Sequence, residues 1–288
     1  MNALVWMTPT LMATLLYGVG QGLVKRNIAD VLPGRFCLYL IGAKAVVNLG
    51  FFFSQPHPDP FSPEGRTFLI AGIVAYLLDG AAWVLYFESI VAGPITIVGT
   101  LSAAYPAITI LFARLFLDEV LGPGQYLGLA IVVVACIGLA WAPSRGALTS
   151  GVRWVPLAAS ALLLWGTAQT IVKWAYSLPQ ANEANLSLYN TIGGALTLGV
   201  YGLWATRRTR HSGTEWARSA LPMGLMAAGD LAVIIASRLG PISVVTPLSG
   251  AYPVITLAFA WAVLKERITA LQWVCIVAIL VGMYLSPG

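Results

Sequence analysis

Three ionisable side chains lie near the middle of long apolar runs. Lys44, Asp79 and Asp230 each stand about ten to twelve residues from the start of such a run. At a rise of about 1.5 Å per helical residue, this position falls near the midplane of a bilayer. A charge at that depth costs at least about 2.5–3.5 kcal/mol on insertion scales, so these residues predict a functional site. The chemistry they can perform is reversible binding of a charged solute or of a proton.

Lys44 and Asp79 carry opposite charges and admit two interpretations. They either form a polar centre that faces a wet cavity and binds a charged substrate group, or they form a structural ion pair between the second and third apolar runs. Asp230 has no obvious basic residue at its own depth, and desolvation favours a neutral carboxyl group. Asp230 is therefore a candidate proton carrier or amine ligand, with a protonated carboxyl bonded to backbone as the alternative.

Amide and aromatic side chains flank these charges at helical spacing, which favours a shared lining. An aromatic wall can hold a cationic solute, although tryptophan and tyrosine also anchor helices at the membrane interface. The two amides recur in both halves of the chain and can equally serve interhelical hydrogen bonds. Besides the three charges, the predicted substrate-binding set is Gln21, Gln169, Tyr76, Trp83, Trp165, Tyr105 and Tyr252.

Two mid-run prolines, Pro106 and Pro253, each free a backbone carbonyl group, so they are candidate hinges or simple kinks. The sequence shows no phosphate-binding loop, no nucleophile motif and no metal-ligand spacing of Cys or His. We therefore expect no catalytic residue, no metal, no cofactor and no ATP-driven transport by this chain alone.

The composition places these residues in a membrane protein. Of the 288 residues, 58% are hydrophobic and 9% are charged, and the mean hydropathy is +0.81, whereas soluble domains are about 25% charged. So few charges cannot cover a water-exposed surface, which excludes a soluble enzyme, and the high hydrophobicity excludes disorder. The formal net charge of +5 comes from cations scattered between the apolar runs, a pattern typical of membrane loops rather than of nucleic-acid binding.

Ten apolar runs each approach the roughly 20 residues that a membrane-spanning helix needs. The connections between them are short, and Gly or Pro marks most of them. We therefore predict an all-α membrane protein with ten transmembrane helices. The predicted spans are residues 4–24, 34–53, 67–90, 94–117, 124–142, 154–173, 184–205, 219–237, 241–264 and 269–286.

The second half of the chain repeats the first. Residues 93–119 match residues 240–266 at 15 of 27 positions, and residues 17–25 match residues 165–173 at nearly the same shift. Five spans per copy is an odd number, so the second copy is inverted in the membrane, a plan that recurs in secondary transporters. The two inverted five-helix repeats are predicted at 1–146 and 147–288.

This duplication resembles the drug/metabolite transporter superfamily, specifically its EamA-like branch. The resemblance covers almost the whole chain, and its motifs are specific for the fold but not for the substrate. They are Gly-x-x-Gln-x-x-Val-Lys at 18–25 and 166–173, Gly-Pro-Ile at 93–95 and 240–242, Tyr-Pro at 105–106 and 252–253, and Leu-x-Glu at 117–119 and 264–266, followed by Gln125 and Gln272.

The resemblance implies a multi-pass protein of the cell (inner) membrane that works by alternating access. We expect secondary active transport of a small polar or amphipathic metabolite, with amino acids and amines as candidates, by proton coupling or exchange. The expected partners are this small molecule, membrane lipid and protons but no nucleic acid, and the expected state is a monomer or weak homodimer. The alternative on the same fold is a flippase for lipids or lipid-linked sugars, and a membrane enzyme and a channel are further rivals.

The distribution of loop charges predicts an orientation. Eleven Lys and Arg residues lie in or beside the odd-numbered connections, and four lie beside the even-numbered ones. Because cytoplasmic loops carry the excess of cations, both termini are expected outside the cytosol.

Overall fold

The structure is a computed structural model that describes residues 3–27, 31–92, 105–141, 154–209, 213–263 and 269–285. Within these ranges every regular element is a helix. A π-helical turn covers Ala195–Gly199 and connects two of these helices. In chain order the helices are α1 (Ala3–Asn27), α2 (Pro33–Ser54), α3 (Arg66–Ala92), α4 (Tyr105–Phe116), α5 (Pro123–Trp141), α6 (Trp154–Ala175), α7 (Glu183–Gly194), α8 (Val200–Thr206), α9 (Gly213–Leu239), α10 (Ile242–Gly250), α11 (Pro253–Ala262) and α12 (Ala270–Leu285).

These helices confirm the all-α prediction and its ten spans, with α7 and α8 in one span and α10 and α11 in another. Residues 94–104 of the fourth span, the motif at 264–266 and the boundary between 146 and 147 lie outside the described residues. Among the described residues, five helical stretches are by themselves long and apolar enough to cross a membrane. They are Gly34–Ser54, Arg66–Ser89, Trp154–Ala175, Gly213–Leu239 and Ile242–Ala262.

The eighth span begins earlier than predicted, at Gly213 rather than at residue 219. The additional turns contain Glu215, whose charge placed it outside the apolar run. In the structure Glu215 is buried, and its carboxylate lies 2.5 Å from the guanidinium group of Arg35. The ion pair therefore allows a polar first turn to pack inside the bundle.

Helices of the two halves pack on each other in equivalent pairs. α1 packs along α9, and α6 packs along α3, which is the same contact after the five-span shift of the repeat. The contact of α2 with α9 corresponds in the same way to that of α7 with α3, and α5 packs on α12. The most extensive interhelical contacts therefore join the two halves, so a polar side chain in these interfaces meets residues of both.

Glycines let the first helix of each half approach its neighbour closely. A Cβ atom on Gly18 of α1 would lie 2.3 Å from Cβ of Ile255 in α11, and one on Gly166 of α6 would lie 2.6 Å from Cβ of Ile108 in α4. Gly18 and Gly166 are equivalent in the repeat, as are Ile255 and Ile108. The duplicated sequence therefore builds the same close helix contact twice.

Gly18→Ala is expected to lower the free energy of unfolding by about 1–3 kcal/mol, because the added methyl group overpacks the contact with Ile255. Thermal or denaturant unfolding of the purified protein in detergent measures this loss. Gly50→Ala in α2 is the matched control, since a Cβ atom there meets nothing within 4 Å and alanine is favoured over glycine within helices. Equal stability of the two variants would contradict the close packing of α1 on α11.

The ninth span is interrupted at its centre. α10 ends at Gly250 and α11 begins at Pro253, so the single run predicted at 241–264 is two helices. Pro253 stands in the first turn of α11, where its missing N–H group needs no partner. The equivalent Pro106 is the second residue of α4, and a Cβ atom on Gly250 would lie 3.3 Å from its Cγ. Spans four and nine therefore cross close to both prolines, whose role as hinges stays a prediction.

Candidate functional site

Three charges from three helices meet at the centre of the bundle. Nζ of Lys44 in α2 lies 3.1 Å from Oδ2 of Asp79 in α3 and 2.9 Å from Oδ2 of Asp230 in α9. It also lies 3.4 Å from Oδ1 of Asn190 in α7. We call Lys44, Asp79 and Asp230 the charge cluster. Because Asp230 and Asn190 belong to the second half of the chain, the cluster joins the two repeats.

The ammonium group of the charge cluster is buried, whereas the two carboxylates are partly accessible to solvent. The exposed fraction of the side chain is 1% for Lys44, 13% for Asp79 and 14% for Asp230. A buried ammonium group needs acceptors for its protons, and two carboxylates and one amide oxygen surround this one. Among the described residues, no group of three or more His, Cys, Asp or Glu side chains is arranged to hold a metal ion.

Glycines beside the two aspartates bring the helices together at this point. Gly80 follows Asp79, and a Cβ atom on it would lie 1.8 Å from a hydroxyl oxygen in the π-helical turn. Gly229 precedes Asp230, and a Cβ atom there would lie 2.8 Å from the ring of Tyr17. Oη of Tyr17 donates a hydrogen bond of 2.5 Å to Oδ1 of Asp230. Each aspartate therefore reaches the centre of the bundle because the residue next to it has no side chain.

A small cavity lies against the two carboxylates. Its volume is about 20 Å³, which is room for roughly one water molecule. Among the described residues, this space is too small for a metabolite. The lining residues are Tyr17, Tyr76, Asp79, Gln169, Val172, Asn190, Asp230, Val233 and Ile234.

Aromatic rings fill the bundle beside Asp79. The ring centroid of Trp165 lies 5.1 Å from that of Trp83, 5.4 Å from that of Tyr86 and 5.9 Å from that of Tyr105. We call these four residues the aromatic cluster, and its Trp165 also borders the Asp79 carboxylate. Rings at these distances are in contact with one another. On α3, Trp83 and Tyr86 lie one and two turns beyond Asp79. Tyr76, which lines the cavity, lies one turn before Asp79.

The structure brings nine of the ten predicted binding residues to this site. Three form the charge cluster, three belong to the aromatic cluster, and Tyr76 and Gln169 line the cavity. The ring of Tyr252 lies 5.8 Å from that of Tyr17. Gln21 stands one turn beyond Tyr17 on α1 and is not part of the cavity lining. Substrate binding by these residues stays a prediction.

Tyr17, Tyr86 and Asn190 were not among the predicted site residues, and the prediction that Asp230 has no basic partner at its depth was wrong. Asn190 could have been found as an amide in the middle of an apolar run. Lys44 and Asp230 have similar depths in their spans, but a residue count carries no information on rotation about the helix axis. Since α2 packs against α9, the two side chains meet.

A second pair of charges holds the turn between α9 and α10. The Glu119 carboxylate accepts hydrogen bonds of 3.0 Å from the N–H groups of Ile242 and Ser243, and one of 2.5 Å from Oγ of Ser243. Nζ of Lys173 donates to two carbonyl groups at and just after the end of α9, at 2.9 and 2.6 Å. An anion thus lies at the start of one helix and a cation at the end of the other, as helix dipoles favour.

Glu119→Ala is expected to lower the free energy of unfolding by about 0.5–2 kcal/mol, because the first N–H groups of α10 lose their acceptor. The measurement is thermal unfolding in detergent. Glu64→Ala is the matched control, since Glu64 is an exposed carboxylate in the turn before α3. A loss no greater than that of the control would show that Glu119 does not cap α10.

Comparison with known proteins identifies the family. The model of the EamA-like transporter family matches residues 4–141 and 152–286, one segment in each half of the chain. A solved crystal structure, one of 27 similar chains, matches with a TM-score of 0.77 at 16% identity over 97% of this chain and 95% of that one, which shows a common fold. No curated protein matches the chain. The chain therefore belongs to the EamA-like transporter family, within the drug/metabolite transporter superfamily, and is a multi-pass membrane protein that contains both repeats of the family.

Proposed function

We propose that this protein is a secondary active transporter of the cell (inner) membrane that moves a small polar or amphipathic metabolite, such as an amino acid or an amine. It works by alternating access and uses proton coupling or exchange. The charge cluster is the single observation that carries this proposal. Three ionisable groups at the centre of a membrane bundle lie beside a cavity, and residues of both repeats hold them.

A purely structural ion pair is a weaker explanation of the cluster. One ammonium group needs one carboxylate for charge balance, yet two are present, and both line the cavity. A structural role also gives no reason for a cavity to adjoin the charges. Binding of a mobile solute or proton accounts for both features.

The small volume of the cavity and the contacts between the halves support alternating access. Since the largest helix contacts join the two repeats, rocking of one repeat against the other opens the centre of the bundle without unfolding a helix. The aromatic cluster lies on one side of Asp79 and the cavity on the other, so separation of the rings gives the site a second exit. The break before Pro253 and the equivalent position of Pro106 are candidate sites at which the helices bend.

Uptake into proteoliposomes tests the proposal. Purified full-length protein is reconstituted, and labelled amino acids, amines and nucleobases are supplied with and without a pH gradient. We expect at least one solute to show saturable uptake that responds to the gradient or to unlabelled solute inside the vesicles. Protein-free vesicles and vesicles with Asp79→Asn are the controls.

Two other results would replace the proposal. Flux that does not saturate and shows no counter-transport would indicate a channel. Movement of a fluorescent phospholipid between leaflets, without uptake of any soluble compound, would indicate the flippase alternative.

A further inference from the structure

A solute in the cavity can reach the carboxylates of the charge cluster but not its ammonium group. The Lys44 side chain is 1% exposed, has three acceptors around Nζ and is not part of the cavity lining. Asp79 and Asp230 are 13% and 14% exposed, and both line the cavity. An entering molecule therefore meets negatively charged oxygen atoms first.

Among the described residues, the other polar groups around the cluster carry no charge at neutral pH, because they are phenols and amides. Lys173, the cation of α6, is bound instead to carbonyl groups at the end of α9. With both carboxylates ionised, the site therefore has two negative charges and one positive charge, a formal net charge of −1. The neutral groups are Tyr17 on α1, Tyr76 on α3, Tyr105 on α4, Gln169 on α6, Asn190 on α7 and Tyr252 on α11.

An excess negative charge in a largely buried site is unfavourable, and only a cation removes it. An anionic solute increases the excess, and a neutral solute leaves it unchanged. The indole ring of Trp165 borders Asp79, and the ring of Trp83 contacts Trp165. Aromatic faces next to a carboxylate are favourable surroundings for an organic cation.

We propose that the transported molecule carries one positive charge, that this charge binds at Asp79 and Asp230, and that a proton takes its place when the molecule leaves. The inference rests on the proposed function and names its substrate class, an organic ammonium ion. Cation and proton occupy the same carboxylates and exclude each other. The transport step is therefore exchange of one ammonium ion for one proton.

Binding of charge-matched probes to the purified full-length protein tests this inference. Each of three scaffolds is used as an amine and as a carboxylate: butylamine with valerate, phenethylamine with 3-phenylpropionate, and tryptamine with indole-3-propionate. Calorimetry gives the affinities between about pH 5 and 8, and a weakly buffered solution reports released protons. We expect amine affinity to rise by up to about tenfold per pH unit, with release of about one proton per amine, and no binding of the carboxylates.

Variants assign the proton to the cluster. Asp79→Asn and Asp230→Asn are expected to abolish proton release on amine binding. Glu88→Gln is the matched control, because Glu88 lies on α3 as Asp79 does but is exposed and accepts a hydrogen bond from Tyr201 away from the cavity. This variant keeps the affinity and proton release of the wild type.

Three results overturn the inference: a carboxylate that binds as tightly as its matched amine, amine binding without proton release, or no binding by any of the three amines. The proposed function fails by a different result. If proteoliposomes take up a neutral or anionic solute, the protein is a transporter and only the cation assignment is wrong. If no solute of any charge is taken up, the transporter proposal itself is rejected.

Discussion

Lys44→Met is expected to lower the free energy of unfolding by about 3–5 kcal/mol, the usual loss when one partner of a buried ion pair is removed. Methionine has a similar length but no charge, so Asp79 and Asp230 are left near each other without a cation. Unfolding in detergent by heat or by sodium dodecyl sulfate measures the loss.

Two companion variants make this result specific. Arg114→Met removes an exposed cation from α4 and is expected to change stability by no more than about 0.5 kcal/mol. The triple variant Lys44→Met, Asp79→Asn, Asp230→Asn removes all three charges and is expected to recover at least half of the loss, since neutral replacement of a whole buried ion group is tolerated better than removal of one member. A Lys44→Met protein that unfolds like the wild type at pH 8 would show that the cluster is not formed in the folded state.

Asp79→Asn and Asp230→Asn are each expected to reduce transport by about 100-fold, which corresponds to about 2.7 kcal/mol and lies within the usual loss from a buried charged contact. Either change leaves Lys44 with one carboxylate, so the cluster is balanced and the protein stays folded. It then lacks the spare negative charge that binds the cargo or the proton. The measurement is the initial rate of uptake into proteoliposomes from about pH 5 to 8, for the solute found in the screen.

Expression level and thermal stability of both variants are measured together with transport, so that a folding defect is distinguished from loss of the site. Glu88→Gln, on the same helix as Asp79 but outside the cavity, is expected to transport at the wild-type rate. If both asparagine variants are well expressed and transport at the wild-type rate over the whole pH range, the charge cluster has no part in transport.

The ten spans and the duplication were predictable because they depend on one-dimensional properties of the chain. A membrane helix requires about 20 consecutive apolar residues, and the described helices α2, α3 and α6 begin and end within two residues of the predicted bounds. The repeat follows from matching residues at a fixed shift. The depth of Lys44, Asp79 and Asp230 follows from their positions in those runs.

Contacts across the bundle were not predictable in the same way. The partnership of Lys44 with Asp230 depends on the rotation of α2 and α9 about their axes, which apolar runs on all sides of a helix do not encode. Gln21 and Gln169 are equivalent in the repeat, yet only Gln169 lines the cavity, because the two halves differ in the side chains around them. At the position where the second half has Asp230, the first half has Trp83. The fold is therefore duplicated, but the charge cluster occurs only once.

The charge cluster also has a consequence for biosynthesis. Asp79 follows Lys44 by 35 residues, whereas Asn190 follows it by 146 residues and Asp230 comes later still. At roughly 5–20 residues per second, a ribosome needs about 7–30 s to synthesise the segment from Lys44 to Asn190. During that interval Asp79 is the carboxylate that can neutralise Lys44, and the pair is electrically balanced. Within the first five helices, Lys44 can therefore be paired in the lipid before the second half of the chain is synthesised.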